Sequence, residues 1–266
     1  MIDALEKIIR VAGAEIMRIY AGDKAISYKA DESPLTAADL AAHRIIVEGL
    51  KQLAPDIVVI SEEDRELDRW KSGDFPEQFW LVDPLDGTKE FVKGTGEFTV
   101  NIALVEKGYP VLGLVYAPVL ETLYVGKIGE GAWKQKGSDP RQTIAVGVAQ
   151  LEAPVFVASK DHAGPAVAKL LSKHPDAKTR SMGSSLKFCL VAEGEADVYL
   201  RDMPTMEWDT AAAQCVVEAA GGRVQTLSGE RFNYAKAGLK NPGFVALGVG
   251  ARELLVGVDL SPSTEI

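Results

Sequence analysis

Cysteine, histidine and positive charge are scarce in this chain of 266 residues, and each scarcity closes off some chemistry. The two cysteines, Cys189 and Cys215, stand far apart, and the three histidines, His43, His162 and His174, are equally scattered. No CxxC and no paired Cys/His spacing occurs, which argues against a structural zinc centre. Isolated cysteines fit buried thiols in a reducing compartment, with a single disulfide left open. The formal net charge of −9 argues against a nucleic-acid polymer as partner, since such polymers are bound by basic surfaces. A small anionic ligand would need a local positive site or bound cations. Long apolar runs are also missing. None approaches ~20 residues, so no segment reads as crossing a bilayer. The first ten residues carry charges at short intervals, unlike the apolar core of a signal peptide. Cytoplasmic is therefore the default expectation. There is no Walker A sequence and no GxGxxG, which speaks against an NTPase or a dinucleotide enzyme. No Ser-His-Asp or cysteine nucleophile has recognisable spacing. Oligomeric state leaves no trace in the sequence.

What is present is an ordinary globular composition, 47% hydrophobic and 25% charged, long enough for one large domain or two packed halves. Its organising stretch is Trp80-Leu-Val-Asp-Pro-Leu-Asp-Gly-Thr-Lys-Glu-Phe91. Phe79 to Val82 reads as a strand buried on both faces. Pro84, without an N–H, is expected to stop the ladder and turn the backbone where Asp83 appears. Asp83 and Asp86, with the Leu85 carbonyl between them, offer hard oxygen donors of the kind that suit Mg²⁺. Gly87 permits close backbone approach and Thr88 adds a hydroxyl. An acidic turn explains the same letters, so the rest of the chain has to decide.

Leu5, Ile8, Ile9, Ala12, Ile16 and Ile19 predict an amphipathic first helix. Residues 25–30 read as a short strand before the turn signal Asp31-Glu-Ser-Pro34. Thr36 is a good N-cap for a helix through Leu50, and Asp39 can reach back to it. Asp39 is thus a capping residue or an active-site carboxylate oriented by the helix end. Ile57 to Ile60 predicts a second buried strand that also ends in acid, Glu62-Glu63-Asp64. If the two strands are neighbours, Glu62 and Asp83 converge at one sheet edge. Arg65 to Gln78 reads as a mobile polar loop. Strand-turn spacing from Phe98 to Lys134 predicts an antiparallel sheet. The best boundary is Lys136-Gly-Ser-Asp-Pro140, which divides the chain into 1–138 and 139–266. Beyond it strands and helices alternate, with a helix opening at Gly183-Ser184-Ser185 and another over Met206–Ala220. The tail from Gly250 is uninformative, and its last residues from Ser261 are expected to fray. Asp209, at the start of a small-residue helix that could pack close to a sheet, completes four carboxylates at the ends of apolar elements: Glu62, Asp83, Asp86 and Asp209.

Ser61-Glu62-Glu63, then Asp83-Pro84-Leu85-Asp86-Gly87-Thr88, then Trp208-Asp209-Thr210-Ala211-Ala212 together resemble the inositol monophosphatase superfamily of Mg²⁺-dependent, lithium-sensitive phosphatases. The match is ordered and covers nearly all of the chain. Lys89-Glu90-Phe91 looks like the nucleotidase branch, since inositol phosphatases usually carry Asn before that Phe. Gly94 to Leu104 and Gly183 to Gly194 are likewise similar to the 3'(2'),5'-bisphosphate nucleotidases of that branch.

The resemblance implies an α/β (α+β) fold, a layered αβαβα sandwich of the inositol monophosphatase/fructose-1,6-bisphosphatase type, with the metal site between its halves. It implies that Glu62, Asp83, Asp86, Asp209 and the Leu85 carbonyl bind two or three Mg²⁺. Asp39, Thr88 and Glu62 would be catalytic, activating the attacking water with a metal. The substrate would rest on Glu62, Leu85, Asp86, Gly87, Thr88 and Asp209. His162, Ser184, Lys187 and Arg201 would hold the nucleotide and its other phosphate. Lys187 could equally be a solvated helical lysine and His162 a surface histidine. The implied reaction cuts the 3'-phosphate from adenosine 3',5'-bisphosphate, leaving AMP, with a place in sulfur metabolism. Paired metals suit this chemistry because the dianionic ester repels hydroxide. The alternatives are inositol monophosphate or another sugar phosphate on the same scaffold, and a non-catalytic nucleotide sensor. Proteins of this type can associate peripherally with the inner membrane, which the acidic composition does not independently support.

Overall fold

A computed structural model of the protein describes residues 1–22, 26–28, 34–158 and 164–260, with only the backbone course for 26–28 and 34–35. The chain begins with α1 (Ile2–Tyr20), which buries Leu5, Ile9, Ala12 and Ile16 as their spacing predicts. The short strands β1 (Ile26–Tyr28) and β2 (Pro34–Thr36) pair antiparallel and lead into α2 (Ala37–Leu53). The remainder of the strand expected over 25–30, and the turn signal at 31–33, lie outside the described residues.

Next come β3 (Val58–Ser61) and β4 (Gln78–Asp86), parallel neighbours, so Glu62 and the aspartates do emerge at one sheet edge. Their connection, expected as a mobile polar loop, contains regular structure and a buried ring. Leu67–Ser72 winds into a 3-10 turn that buries Trp70. Trp70 stacks on Phe75 with ring centroids 5.0 Å apart, and Phe75 meets Phe79 at 5.6 Å. These rings anchor an otherwise polar segment through their large apolar area.

After α3 (Thr88–Lys93), an antiparallel run of β5 (Thr99–Glu106), β6 (Tyr109–Ala117), β7 (Thr122–Lys127), β8 (Gly131–Lys136) and β9 (Gln142–Ile144) completes a seven-stranded sheet in sequential order. The sheet is antiparallel as expected from β4 onward, and only β3 runs parallel to its neighbour. Later elements are β10 (Val155–Ala158), α4 (Pro165–Lys173), β11 (Lys178–Ser181), α5 (Leu186–Ala192), β12 (Val198–Arg201), β13 (Thr205–Met206), α6 (Ala211–Ala219), β14 (Arg223–Thr226), β15 (Lys240–Asn241) and β16 (Phe244–Leu247). A five-stranded sheet forms in the order β11-β10-β12-β16-β14, while β13 pairs separately with β15. The helix expected over Met206–Ala220 is two pieces, a 3-10 turn at Glu207–Asp209 and then α6.

Three apolar cores define the layers. Leu5, Ile9 and Ile46 pack with Trp80 and Val82 between the α1/α2 pair and the larger sheet. Phe79, Leu81, Phe188, Val216 and Phe244 fill the space between the two sheets around α5 and α6. Phe156, Leu170, Val198 and Leu254 form the third core, beneath α4. The fold is therefore the expected αβαβα sandwich. β4 is covered on both faces, its alternate side chains entering different cores, each large one contributing roughly 1.5–3 kcal/mol by burial. α6 lies very close on the larger sheet. A Cβ at Gly113 would stand 2.2 Å from the Ala212 carbonyl oxygen, and one at Gly126 would stand 2.5 Å from Val216 Cα. The small residues Ala211–Ala213 and these glycines permit that contact.

Candidate active site

β4 carries the first acidic pair across an irregularity. Asp83 pairs with Asn101 but Asp86 with Thr99, so one extra residue is accommodated between them. Pro84 does not end the strand, contrary to expectation. It sits in this bulge, where the missing N–H interrupts no ladder bond. The Leu85 N–H donates to Asp83 Oδ1 at 3.0 Å, fixing the first carboxylate over the bulge. Gly87 then takes φ +93°, and a Cβ there would meet Ser184 Oγ at 2.3 Å. Close approach and left-handed backbone both require glycine.

Asp39 serves two partners. Its Oδ2 accepts from the Thr36 N–H at 2.7 Å and from the Thr36 hydroxyl at 2.6 Å, closing the capping box of α2. Its Oδ1 accepts from Thr88 Oγ1 at 3.2 Å, and that hydroxyl also lies 3.3 Å from the Leu85 carbonyl oxygen. The cap and the link to the acidic stretch are thus one residue.

The other side of the cluster depends on Ser185, whose role sequence reasoning missed. Its N–H donates to Asp86 Oδ2 at 2.7 Å, its hydroxyl donates to the Asp209 carbonyl at 2.8 Å, and it accepts from Asn101 Nδ2 at 3.0 Å. The backbone at the start of α5 thus holds Asp86. Thr99 and Asn101, both buried, add longer contacts of 3.4 Å to Asp86 Oδ2. Ser184, expected to contact nucleotide, turns its hydroxyl to the carbonyls of Asp86 (2.7 Å) and Glu97 (2.8 Å). Asp209 Oδ2 accepts from the Met206 N–H at 2.9 Å. The one signal for these supports was the polar Thr99 and Asn101 on an otherwise apolar strand.

Asp83, Asp86 and Asp209 thus each commit one oxygen to a backbone N–H. Burial, followed by the charges of Glu62, Asp86 and Asp209, pushes Asp83 well above the usual carboxylate range. Asp209, which still opens on the cleft, is pushed up likewise by desolvation, then by Asp86 and Glu62. The charge of Arg201 offsets this only in part at Asp209. Among the described residues no three acidic, histidine or cysteine side chains close on one point as a ready metal cage. The cluster is open, as mutual repulsion dictates, but its donors are all hard oxygens and fit a divalent cation in kind.

Lys187 and Arg201 line the same pocket as Asp86, Gly87, Ser184 and Asp209. Lys187 is no solvated helical lysine: it is buried, its Nζ 3.3 Å from the Met182 carbonyl and 5.6 Å from the Tyr199 ring centroid. Burial pushes its pKa down to about 8 despite Asp86 nearby. Arg201 Nε is buried without a hydrogen-bond partner. His162 lies outside the described residues.

A five-layered αβαβα sandwich with acidic groups gathered at the end of its larger sheet defines a class of protein. The model of the inositol monophosphatase family matches residues 1–248, and the chain belongs to that family. It is similar to the 3'(2'),5'-bisphosphate nucleotidase CysQ of Salmonella typhimurium, 47% identical over 92% of this chain and 98% of that protein. CysQ of Escherichia coli K12 is 46% identical over the same shares. Among solved structures, CysQ from Bacteroides thetaiotaomicron superposes with TM-score 0.80 at 40% identity, covering 92% of this chain and 96% of that one. The Thermotoga maritima IMPase matches with TM-score 0.77 at 26% identity, covering 95% and 94%. No helix among the described residues is long and apolar enough to cross a membrane.

Proposed function

We propose that the protein is a Mg²⁺-dependent 3'(2'),5'-bisphosphate nucleotidase that removes the 3'-phosphate of adenosine 3',5'-bisphosphate, giving AMP and phosphate. The observation that carries this reading is a double charge mismatch in one pocket. Asp86 and Asp209 line it and are crowded by Asp83 and Glu62, while Lys187 is buried against one carbonyl and Arg201 Nε is buried without a hydrogen-bond partner. A cation and a doubly phosphorylated ligand supply what each side lacks, and the CysQ relatives bear the name of that activity.

Glu62, Asp83, Asp86, Asp209 and the Leu85 carbonyl would hold the metal. When bound, Mg²⁺ supplies charge neutralisation and Lewis-acid polarisation of the phosphate. The protein's own groups do the rest. Thr88, hydrogen-bonded to Asp39, would pass a proton from an attacking water to that carboxylate, with Glu62 as the third catalytic group. Gly87, having no side chain, lets the phosphate approach the backbone. Lys187 and Arg201 would receive the second phosphate, which a guanidinium fits in a bidentate manner. In this reading most metal ligands belong to the half 1–138, and Asp209 with the nucleotide contacts to 139–266.

Phosphate release from adenosine 3',5'-bisphosphate, inositol 1-phosphate and fructose 1,6-bisphosphate, each with Mg²⁺, tests the assignment. The bisphosphate nucleotide should be preferred. A clear preference for inositol 1-phosphate overturns it, and nucleotide binding without turnover would mark a sensor instead.

A further inference from the structure

The segment Thr205–Thr210, which carries Asp209, is backed by a buried polar layer that no proposed role yet uses. Asn241 is 2% exposed. Its Nδ2 lies 2.8 Å from the Met206 carbonyl, 2.9 Å from Thr210 Oγ1 and 3.2 Å from Thr205 Oγ1. A carbonyl can only accept, so the amide orientation is fixed by Met206. One side chain therefore ties together residues on both sides of Asp209. Its Oδ1 is buried with no partner, a standing cost that an apolar residue of similar volume would avoid. Tyr234, equally buried, sets its hydroxyl 3.0 Å from Thr210 Oγ1 and 2.8 Å from Gln214 Oε1. Glu207, fully buried, accepts from the backbone N–H groups of Ala235 (3.0 Å) and Lys236 (2.9 Å) and pairs with Lys236 Nζ at 2.8 Å. Tyr234 is thereby clamped to the same segment.

Met206 and Thr210 are the two points through which this layer acts. The Met206 N–H holds Asp209 Oδ2, while the Met206 carbonyl is held by Asn241. A shift of Asn241 would thus move the N–H that aims the carboxylate. We propose that Asn241 and Tyr234 are positioning residues that aim Asp209 at the divalent cation and set the affinity for it. The inference rests on the reading of Asp209 as a metal ligand. Groups that orient a ligating carboxylate typically change metal affinity by about 10–100-fold when replaced.

The test is calorimetric titration of Mg²⁺ into the substrate-free full-length protein, together with the Mg²⁺ dependence of turnover. Asn241→Asp keeps the volume but sets an acceptor against the Met206 carbonyl. Tyr234→Phe removes only a hydroxyl and serves if the first variant does not fold. Asp209→Asn is the reference. Both positioning variants should bind Mg²⁺ about 10-fold more weakly, and the Mg²⁺ needed for half-maximal turnover should rise in proportion. The nucleotide KM at saturating Mg²⁺ should stay within about twofold, a split that general loosening of the fold would not produce. If Asp209→Asn weakens Mg²⁺ binding while Tyr234→Phe and folded Asn241→Asp bind as the wild type does, the positioning role is overturned alone. If Asp209→Asn also binds normally, the metal reading and this inference fall together.

Discussion

Thr88 Oγ1 donates to Asp39 Oδ1 at 3.2 Å although 49 positions separate them. The other Asp39 oxygen caps α2 through Thr36, so stability and the proposed catalysis meet in one side chain. Replacing each partner separates the two roles. Thr88→Val should lower kcat by about 10²–10⁴-fold, the usual worth of a positioned proton-transfer group, with little change in urea stability. Asp39→Ala should lose both, with about 1 kcal/mol of stability going with the cap. Steady-state rates beside urea curves separate the effects, and wild-type kcat in Thr88→Val would sink the proposed dyad.

The crowded carboxylates predict opposite responses with and without metal. Asp83→Asn keeps an oxygen for the Leu85 N–H and removes a charge that burial and three acidic neighbours oppose. In EDTA the variant should be more stable than the parent, by ~1 kcal/mol. In excess Mg²⁺ the order should reverse, since a ligand at 100 times its Kd adds about 2.7 kcal/mol to a protein that binds it. Thermal melts of both proteins in both buffers give the comparison. Equal Mg²⁺-induced shifts in Tm for the two proteins would remove Asp83 from the ligand set.

Much of this arrangement was legible because its signals are local. The unbroken apolar run from Phe79 to Val82 marks a doubly covered strand, and Thr36 with Asp39 is a cap readable from spacing alone. The acidic residues stand beside turn chemistry that sequence displays directly. What could not be read depends on contacts across the chain. Ser185 supports Asp86 from 99 positions away, and nothing in Gly183-Ser184-Ser185 distinguishes a serine that grips an aspartate from one that grips phosphate. Trp70 converts an apparently polar loop into an anchored turn only because Phe75 and Phe79 lie beneath it. The missing N–H of Pro84 by itself predicts a strand end, whereas the bulge opposite Asn101 makes that absence harmless. Asn241 gave no signal because its partners are backbone and hydroxyl groups some 31 to 36 positions earlier.

Lys187 predicts the alkaline limb of the pH profile. Its pKa is lowered from 10.5 to about 8, chiefly by burial. Below that value it is a cation for the second phosphate, and above it the charge is lost. kcat/KM for the bisphosphate nucleotide should therefore fall as pH rises through about 8, while Lys187→Arg should extend the plateau upward. Folding responds with the other sign. The unfolded chain binds more protons than the folded one between about 8 and 10.5, so this group's contribution makes stability rise with pH across that window. A kcat/KM profile flat to pH 9.5 would show that Lys187 does not meet the substrate.

Gly87 and Ser184 predict a coupled pair of substitutions. Gly87→Ala places a Cβ 2.3 Å from Ser184 Oγ at φ +93°, and should destabilise by about 1–3 kcal/mol from overpacking, with left-handed strain in addition. It should also lower activity, since Ser184 links the Asp86 and Glu97 carbonyls. Ser184 itself has φ +49°, so Ser184→Gly gains backbone ease while losing its hydroxyl bonds, and the net loss should be below about 1 kcal/mol. The double variant removes the collision but keeps the strain at residue 87. Its loss should therefore be smaller than the sum of the two single losses by about 1 kcal/mol or more, since residues in contact couple at that scale. Urea unfolding of all four proteins measures this coupling, and strict additivity would show that Gly87 is demanded by backbone conformation alone.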